Sequence, residues 1–241
     1  MTVPIDDPDA IARILANTDA LLLDFDGPIC SVFAGFPAPV VAGQLAEILT
    51  EAGHDLPPDV ATATDPFDLL HHAATLGTHE AELVNAAFRA HEVEAIHSAE
   101  PTPGAHELIE AWKHTGRSLA IVTNNSRTAI ETYLDLYDLG GHVDFVAART
   151  SKVTSLLKPS PYLVTRAVRE LAAQPNRSTL VGDSVTDIVA AKAAHVMVIG
   201  YSNKPGKADR FLELEPTALV TTMALLLLPV QAEHPDIAYE P

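Results

Sequence analysis

The stretch LLLDFDGPICSVFAG, Leu21 to Gly35, sets two carboxylates, Asp24 and Asp26, at the end of an apolar run and follows them at once with a glycine and a proline. Three successive leucines leave no polar face, so the run reads as a short strand buried on both sides. The acids then stand at or just past its carboxyl end. Further short apolar runs share the plan: Ser118 to Val122, Val143 to Val146, Thr179 to Gly182 and Val196 to Gly200, each opening onto a polar or glycine-containing turn and then a helix-like segment. Strands apolar on both faces and spaced by helices predict an α/β fold, a doubly wound parallel sheet covered on both sides.

The helices between these strands carry their own boundaries. Pro103-Gly104 opens one that runs through His106, Leu108, Ile109 and Trp112 to a stop at Gly116. Ser126 can cap the next, Pro159 to Pro161 precede a third, and a fourth follows Asp183 with Ile188, Val189, Ala191 and Ala194 on its apolar face.

Between the first two strands the chain is too long for a simple crossover. VVAGQLAEILTEAG, FDLLHHAATLG and AELVNAAFRAHEVEAIHSA all have helical patterning. Residues 35–100 are therefore predicted as a small helical cap domain, and residues 1–34 with 101–241 as the α/β core. The proline-containing segments Ser31 to Pro39 and Glu100 to Pro103 would be its hinges.

Composition narrows the partners. The 241 residues are 47% hydrophobic, enough for a buried core, and 15 Lys and Arg against 32 Asp and Glu give a formal charge of −17. Such a surface repels nucleic acid and anionic membranes, so neither is an expected partner. Any anionic ligand has to be attracted locally. The single cysteine, Cys30, excludes an internal disulfide framework and suits a reducing compartment. The opening MTVPIDDPDA lacks a basic-then-apolar secretion pattern, and the apolar run from Ala218 to Val230 is too short to span a bilayer. A soluble, cytoplasmic location is the expectation; the oligomeric state is not encoded legibly.

Three more polar stations stand where Asp24 stands: Thr123-Asn124-Asn125 after LAIV, Lys158 in LLKPSP, and Asp183 with Asp187 in LVGDSVTDIVAA. In an open parallel sheet the carboxyl ends share one edge, so residues distant in sequence converge in one crevice. Each station also has an ordinary structural explanation. Asp183 and Asp187 can cap the following helix, and Thr123-Asn124 can do the same for theirs. Capping and metal binding are compatible.

DFDG, IVTNN, KPSP and GDSVTD occur in that order over most of the chain, and in this the sequence resembles the haloacid dehalogenase superfamily. The likeness is strongest to its phosphatases with a helical cap after the first strand, of the phosphoglycolate phosphatase and β-phosphoglucomutase type. The resemblance implies a phosphatase acting on a small phosphorylated metabolite. In it Asp24 would be the nucleophile that forms an aspartyl-phosphate, splitting one hard displacement into two easier ones. Asp26 would protonate the leaving oxygen and then deprotonate the attacking water. Mg2+ would be held by the Asp24 side chain, the Asp26 backbone carbonyl and the Asp183 side chain, with Asp187 behind them. Thr123, Asn124 and Lys158 would bind the substrate phosphate.

Several alternatives are weighed against this. A phosphomutase would share the aspartyl-phosphate but pass the phosphoryl group to a sugar. A 2-haloacid dehalogenase is disfavoured because its halide needs no proton and the second aspartate is absent there. A silent binding protein on this fold would have lost a station, and none is lost. Phosphonoacetaldehyde hydrolysis needs a cap lysine, whereas no lysine precedes Lys113. Pro28 departs from the family, where threonine usually follows DxDG, and a proline there stiffens the flap and removes a donor. Of the 11 histidines, His54, His71, His72, His79, His91 and His97 lie in the insert, at spacings that match no zinc pattern. Arg89 is the insert's remaining basic residue and is expected on its exposed face.

Overall fold

The computed structural model describes residues 2–233. Six strands form one sheet: β1 (Ala20–Leu23), β4 (Ser118–Ser126), β5 (Phe145–Arg149), β6 (Ser178–Gly182), β7 (Met197–Tyr201) and β8 (Ala218–Val220). Two short strands, β2 (Cys30–Ser31) and β3 (Glu100–Pro101), pair separately. The helices are α1 (Pro8–Ala16), α2 (Ala38–Glu51), α3 (Pro58–Ala61), α4 (Pro66–Leu76), α5 (Thr78–Ile96), α6 (Ala105–His114), α7 (Arg127–Leu136), α8 (Tyr162–Glu170), α9 (Val185–Ala193), α10 (Lys207–Leu212) and α11 (Ala224–Glu233).

The sheet runs β5-β4-β1-β6-β7-β8, and all five pairings are parallel. From β1 the chain builds outward through β4 and β5, then returns to the other side of β1 for β6. That reversal makes β1 the switch point, where a crevice opens beyond the carboxyl ends. Leu21 and Leu23 pack into one hydrophobic cluster with Trp112 and Tyr133, and Leu22 into another with Val122, Leu180 and Ile188. Each face of β1 thus buries its own core, which is why the run contains no polar residue.

Where the sequence reading and the structure differ, local chemistry explains it. The run from Ala218 to Val230 divides into β8 and α11. The break lies at Thr221, whose backbone N–H and hydroxyl both donate to the Asp6 carboxylate at 2.8 Å. MTVPIDDPDA also holds a helix start: Asp7 accepts from Asp9 and Ala10 N–H at 3.0 Å, and Pro8 opens α1 where a missing N–H costs nothing. The strand expected from Val143 begins at Phe145, and β4 runs on to Ser126.

Helices α2 to α5 lie between β2 and β3, and most of their apolar residues bury into the second of the two clusters. The starts of the segments expected as hinges meet in an antiparallel ladder, Ser31 opposite Glu100, with Cys30, the residue just before the first segment, opposite Pro101. Among the described residues no helix is long and apolar enough to cross a membrane.

Candidate active site

Asp24 follows the last residue of β1, and its backbone N–H still donates to Val181 O at 2.9 Å, so the carboxylate leaves the sheet in a fixed direction. The turn that follows is closed by three amides: Ile29 and Cys30 N–H donate to Phe25 O at 3.1 Å, and Gly27 N–H to Cys30 O at 2.7 Å. Pro28 sits among them without supplying a donor. Cys30 is buried in the core beneath this turn. Gly27 has φ of +106°, and a Cβ built on it would lie 2.4 Å from Asp183 Cγ. Only glycine satisfies both the backbone angle and that close approach. The bend turns Asp26 back over the crevice, with its Oδ1 accepting from Val32 N–H at 3.0 Å.

Lys158 reaches in from the segment before α8. Its ammonium lies 2.8 Å from Asp24 Oδ1, pairs also with Asp187, and donates to Val122 O at 3.0 Å. The backbone of Lys158 is clamped in turn by Asn124, whose Nδ2 donates to Lys158 O at 3.0 Å and whose Oδ1 accepts from Lys158 N–H at 2.8 Å. Asn124 therefore uses its side chain to place the lysine. Thr123 donates to Asn125 Oδ1 at 3.0 Å and accepts from Asn125 N–H at 3.2 Å, which tightens the end of β4 into a small loop.

Beyond β6, the helix start differs from expectation in one respect. Ser184 is the N-cap of α9, and Asp187 closes a capping box with it. Asp183 is free of that duty and faces the crevice. A Cβ on Gly182 would fall 2.4 Å from Asp187 Cγ, so the glycine before Asp183 makes room for the buried acid.

Asp24, Asp26, Thr123, Asn124, Lys158 and Asp183 all line one cleft of about 530 Å3, roofed by Phe33, Ala38 and residues of α4 with its leading loop. Asp187 lies beneath it, fully buried. Burial, with Asp187 nearby, pushes the Asp24 carboxyl well above the usual range against the opposing pull of Lys158. Burial raises Asp26 to about 6 and raises Asp183 against the pull of Lys207. Although burial disfavours a buried ammonium, Asp187 and Asp24 hold Lys158 above the ordinary lysine range.

Side-chain oxygens of Asp24, Asp183 and Asp187 lie within 4.8 Å of one another. This is an all-oxygen, hard donor set suited to Mg2+. Asp187 is already paired with Lys158, and burial favours protonation of Asp24 and Asp183, so these two carboxyls are the setting in which a divalent cation would restore the ionised forms. Among the described residues the insert histidines form no such group; His54 instead contacts Glu80 at 3.2 Å. Arg89 is exposed and lines a separate small cavity with Arg127 and Arg149, outside this cleft.

Three features were not read from the sequence. Lys207 Nζ donates to the Asp183 carboxylate and, at 2.7 Å, to its backbone carbonyl. Its signal was NKPGK just after the run Val196 to Gly200, at the same sheet edge as the other stations. Glu92 bonds Asn125 Nδ2 and Ser126 N–H, both at 3.1 Å, and Arg149 Nε donates to Asn124 O at 3.1 Å, so the pair holds the Thr123–Ser126 loop from behind. Glu92 was readable as an acid on the apolar stripe Ala81, Val84, Phe88, Ala95, Ile96 of α5.

A family model described as haloacid dehalogenase-like hydrolase matches residues 67–201. A phosphoglycolate phosphatase of Mesorhizobium japonicum is 33% identical over 122 residues, covering 50% of this chain and 52% of that protein. A phosphoglycolate phosphatase of Aquifex aeolicus is 29% identical over 141 residues, covering 56% and 65%. The match thus spans between half and two thirds of these relatives. Among solved structures, the protein CbbY of Rhodobacter sphaeroides in complex with phosphate superposes with a TM-score of 0.63 at 20% identity, covering 89% of this chain and 99% of that one. A likeness at that identity speaks to the fold.

Proposed function

This chain belongs to the haloacid dehalogenase-like hydrolases, and we propose that it is a magnesium-dependent phosphatase that hydrolyses a phosphomonoester of a small metabolite through Asp24. The observation that carries this reading is the contact of Lys158 Nζ with Asp24 Oδ1 at 2.8 Å, inside a cleft that also presents Asp26, Thr123 and Asp183. A buried carboxylate held against one ammonium, with further oxygen ligands beside it, suits attack on a phosphoryl group whose charge must be neutralised.

In this reading Asp24 forms the new P–O bond while the ester P–O bond breaks. Asp26 gives its proton to the departing alkoxide, then takes one from the water that attacks the aspartyl-phosphate, returning Asp24 as carboxylate and releasing inorganic phosphate. The Thr123 hydroxyl would turn from Asn125 Oδ1 to donate to a phosphoryl oxygen, and Lys158 would supply positive charge to the same group. Mg2+ would be held by the Asp24 side chain, the Asp26 carbonyl and Asp183, where it would offset the repulsion between nucleophile and phosphate. Asp187 keeps Lys158 in place from below, and Lys207 does the same for Asp183. The roof formed by residues 35–100 acts as a cap that excludes water and limits substrates to small ones. Relatives named phosphoglycolate phosphatase support the reaction class.

The test is phosphate release from p-nitrophenyl phosphate with and without Mg2+, beside Asp24→Asn. Turnover that needs the metal and falls by about three orders of magnitude or more in the variant supports the reading. Undiminished release from Asp24→Asn, or full activity after chelation, overturns it.

A further inference from the structure

The cleft is chemically two-ended. At the floor stand the groups that meet phosphate. The roof, at the side reached by the rest of a substrate, is built from Phe33, Thr64, Asp65, Phe67, Asp68 and His71. Lys158 is the one lysine or arginine among the residues lining this cleft, and its ammonium is already engaged by Asp24, Asp187 and Val122 O. A second anionic group on the substrate would find no lysine or arginine there, only His71 beside the two acids. It would instead face two carboxylates.

The first of those carboxylates is fixed by the helix it introduces, and the second is placed by the same turn. Asp65 is the N-cap of α4, with Oδ1 accepting from Phe67 N–H at 2.9 Å, and Asp68 stands in the first turn. His71 follows one turn later on the same face, as the three-residue spacing requires. The aromatic part is equally well held: Phe33 stacks on Phe88 at 6.5 Å between ring centroids, and Phe67 meets Phe88 edge-on at 5.0 Å. A wall of carboxylate oxygens and aromatic carbon accepts hydrogen bonds and tolerates positive charge or C–H faces.

From this wall, and resting on the phosphatase reading, we infer that the substrate is a phosphomonoester whose carbon skeleton ends in hydrogen-bond donors, hydroxyl or ammonium, and carries no second anionic group. Discrimination arises at the roof, by repulsion of the wrong ester as much as by attraction of the right one. A carboxylate-bearing ester pays the desolvation of its charge and the repulsion of Asp65 and Asp68 together.

A matched pair isolates the feature. Glycerol 3-phosphate and 3-phosphoglycerate differ only in a hydroxymethyl against a carboxylate, and phosphoethanolamine adds the ammonium arm. Dissociation constants for all three are measured by calorimetry on Mg2+-loaded Asp24→Asn, and kcat/KM on the wild-type chain. The expected result is a preference for glycerol 3-phosphate over 3-phosphoglycerate of about tenfold or more, which shrinks toward unity in Asp68→Asn and further in the double variant with Asp65→Asn. Phosphoethanolamine above or below glycerol 3-phosphate decides between ammonium and hydroxyl, and either order supports the inference provided both exceed 3-phosphoglycerate. Asparagine at position 65 retains the cap, and a ratio taken within one preparation cancels any loss of folded protein. Equal or tighter handling of 3-phosphoglycerate, or a preference unmoved by Asp68→Asn, overturns the inference while leaving the phosphatase reading intact. Discrimination in binding without phosphate release from any ester would overturn the phosphatase reading instead.

Discussion

Glu92 and Arg149 form an ion pair closed to solvent, Glu92 wholly buried and Arg149 4% exposed, and it ties α5 to the end of β5. Arg149 also bonds Asn85, while its guanidinium lies 4.8 Å over the Phe88 ring. Removing one partner of such a pair strands the other charge in a low-dielectric site. Glu92→Gln, which nearly keeps the shape, is expected to destabilise the fold by about 3–5 kcal/mol. Because Glu92 also anchors Asn125 and Ser126, turnover per folded molecule should fall as well. Urea titration read alongside kcat checks both; unchanged stability would show that the pair is not a brace.

This pair marks the boundary of what the sequence discloses. The stations at Asp24, Thr123, Lys158 and Asp183 were legible because each follows a strand whose apolar run announces it, and parallel topology sends all strand ends to one edge. Glu92 and Arg149 belong to elements far apart in sequence, and their partnership depends on how α5 lies against β4 and β5. Periodicity exposes Glu92 as an anomaly without naming its partner. The roof was opaque for a related reason: Asp65 and Asp68 are ordinary helix-start residues until Phe33 and the floor of the cleft are placed opposite them. The strand β8 was hidden because three residues of a longer apolar run carry no period of their own, and its end is set by Asp6 from the other end of the chain.

Asp26 separates chemistry from packing. Asp26→Asn retains an acceptor for the Val32 N–H that holds the side chain, but has no carboxyl proton to give. Hydrolysis of alkyl phosphates is expected to slow by about 10²–10⁴-fold. That of p-nitrophenyl phosphate, whose leaving group needs little protonation, should slow far less. Equal slowing of both esters in steady-state assays would remove the general-acid role.

Gly27 offers a test of the bend. Gly27→Ala places a methyl where Asp183 already stands, at a backbone angle that side chains resist. It should lose about 1–2 kcal/mol for the conformation and more for the displaced acid. Mg2+ affinity, measured by calorimetry, should fall with it. Gly53→Ala provides the comparison: φ is +89° but nothing lies within 4 Å of the added methyl. It should carry the backbone cost alone and leave metal affinity untouched. If both variants bind Mg2+ equally well, Gly27 is only a turn residue.

His106 predicts a pH dependence away from the cleft. On α6 its Nε2 lies 2.8 Å from the Tyr133 hydroxyl, and its ring packs on Tyr133 and Tyr137 at 5.7 and 4.9 Å. Burial holds its imidazole below the ordinary histidine range. A free histidine takes up its proton near pH ~6.5, so just below that point the unfolded chain binds more protons than the folded one. Stability contributed by the neutral imidazole is therefore complete above the unfolded value and declines as pH falls toward the folded one. His106→Gln removes the titration and keeps a polar tip. The stability of the wild-type chain relative to this variant should shrink between about pH 8 and about pH 5, read as the difference in unfolding free energy at each pH. A difference that stays constant across that interval would mean that His106 does not change its charge state on folding.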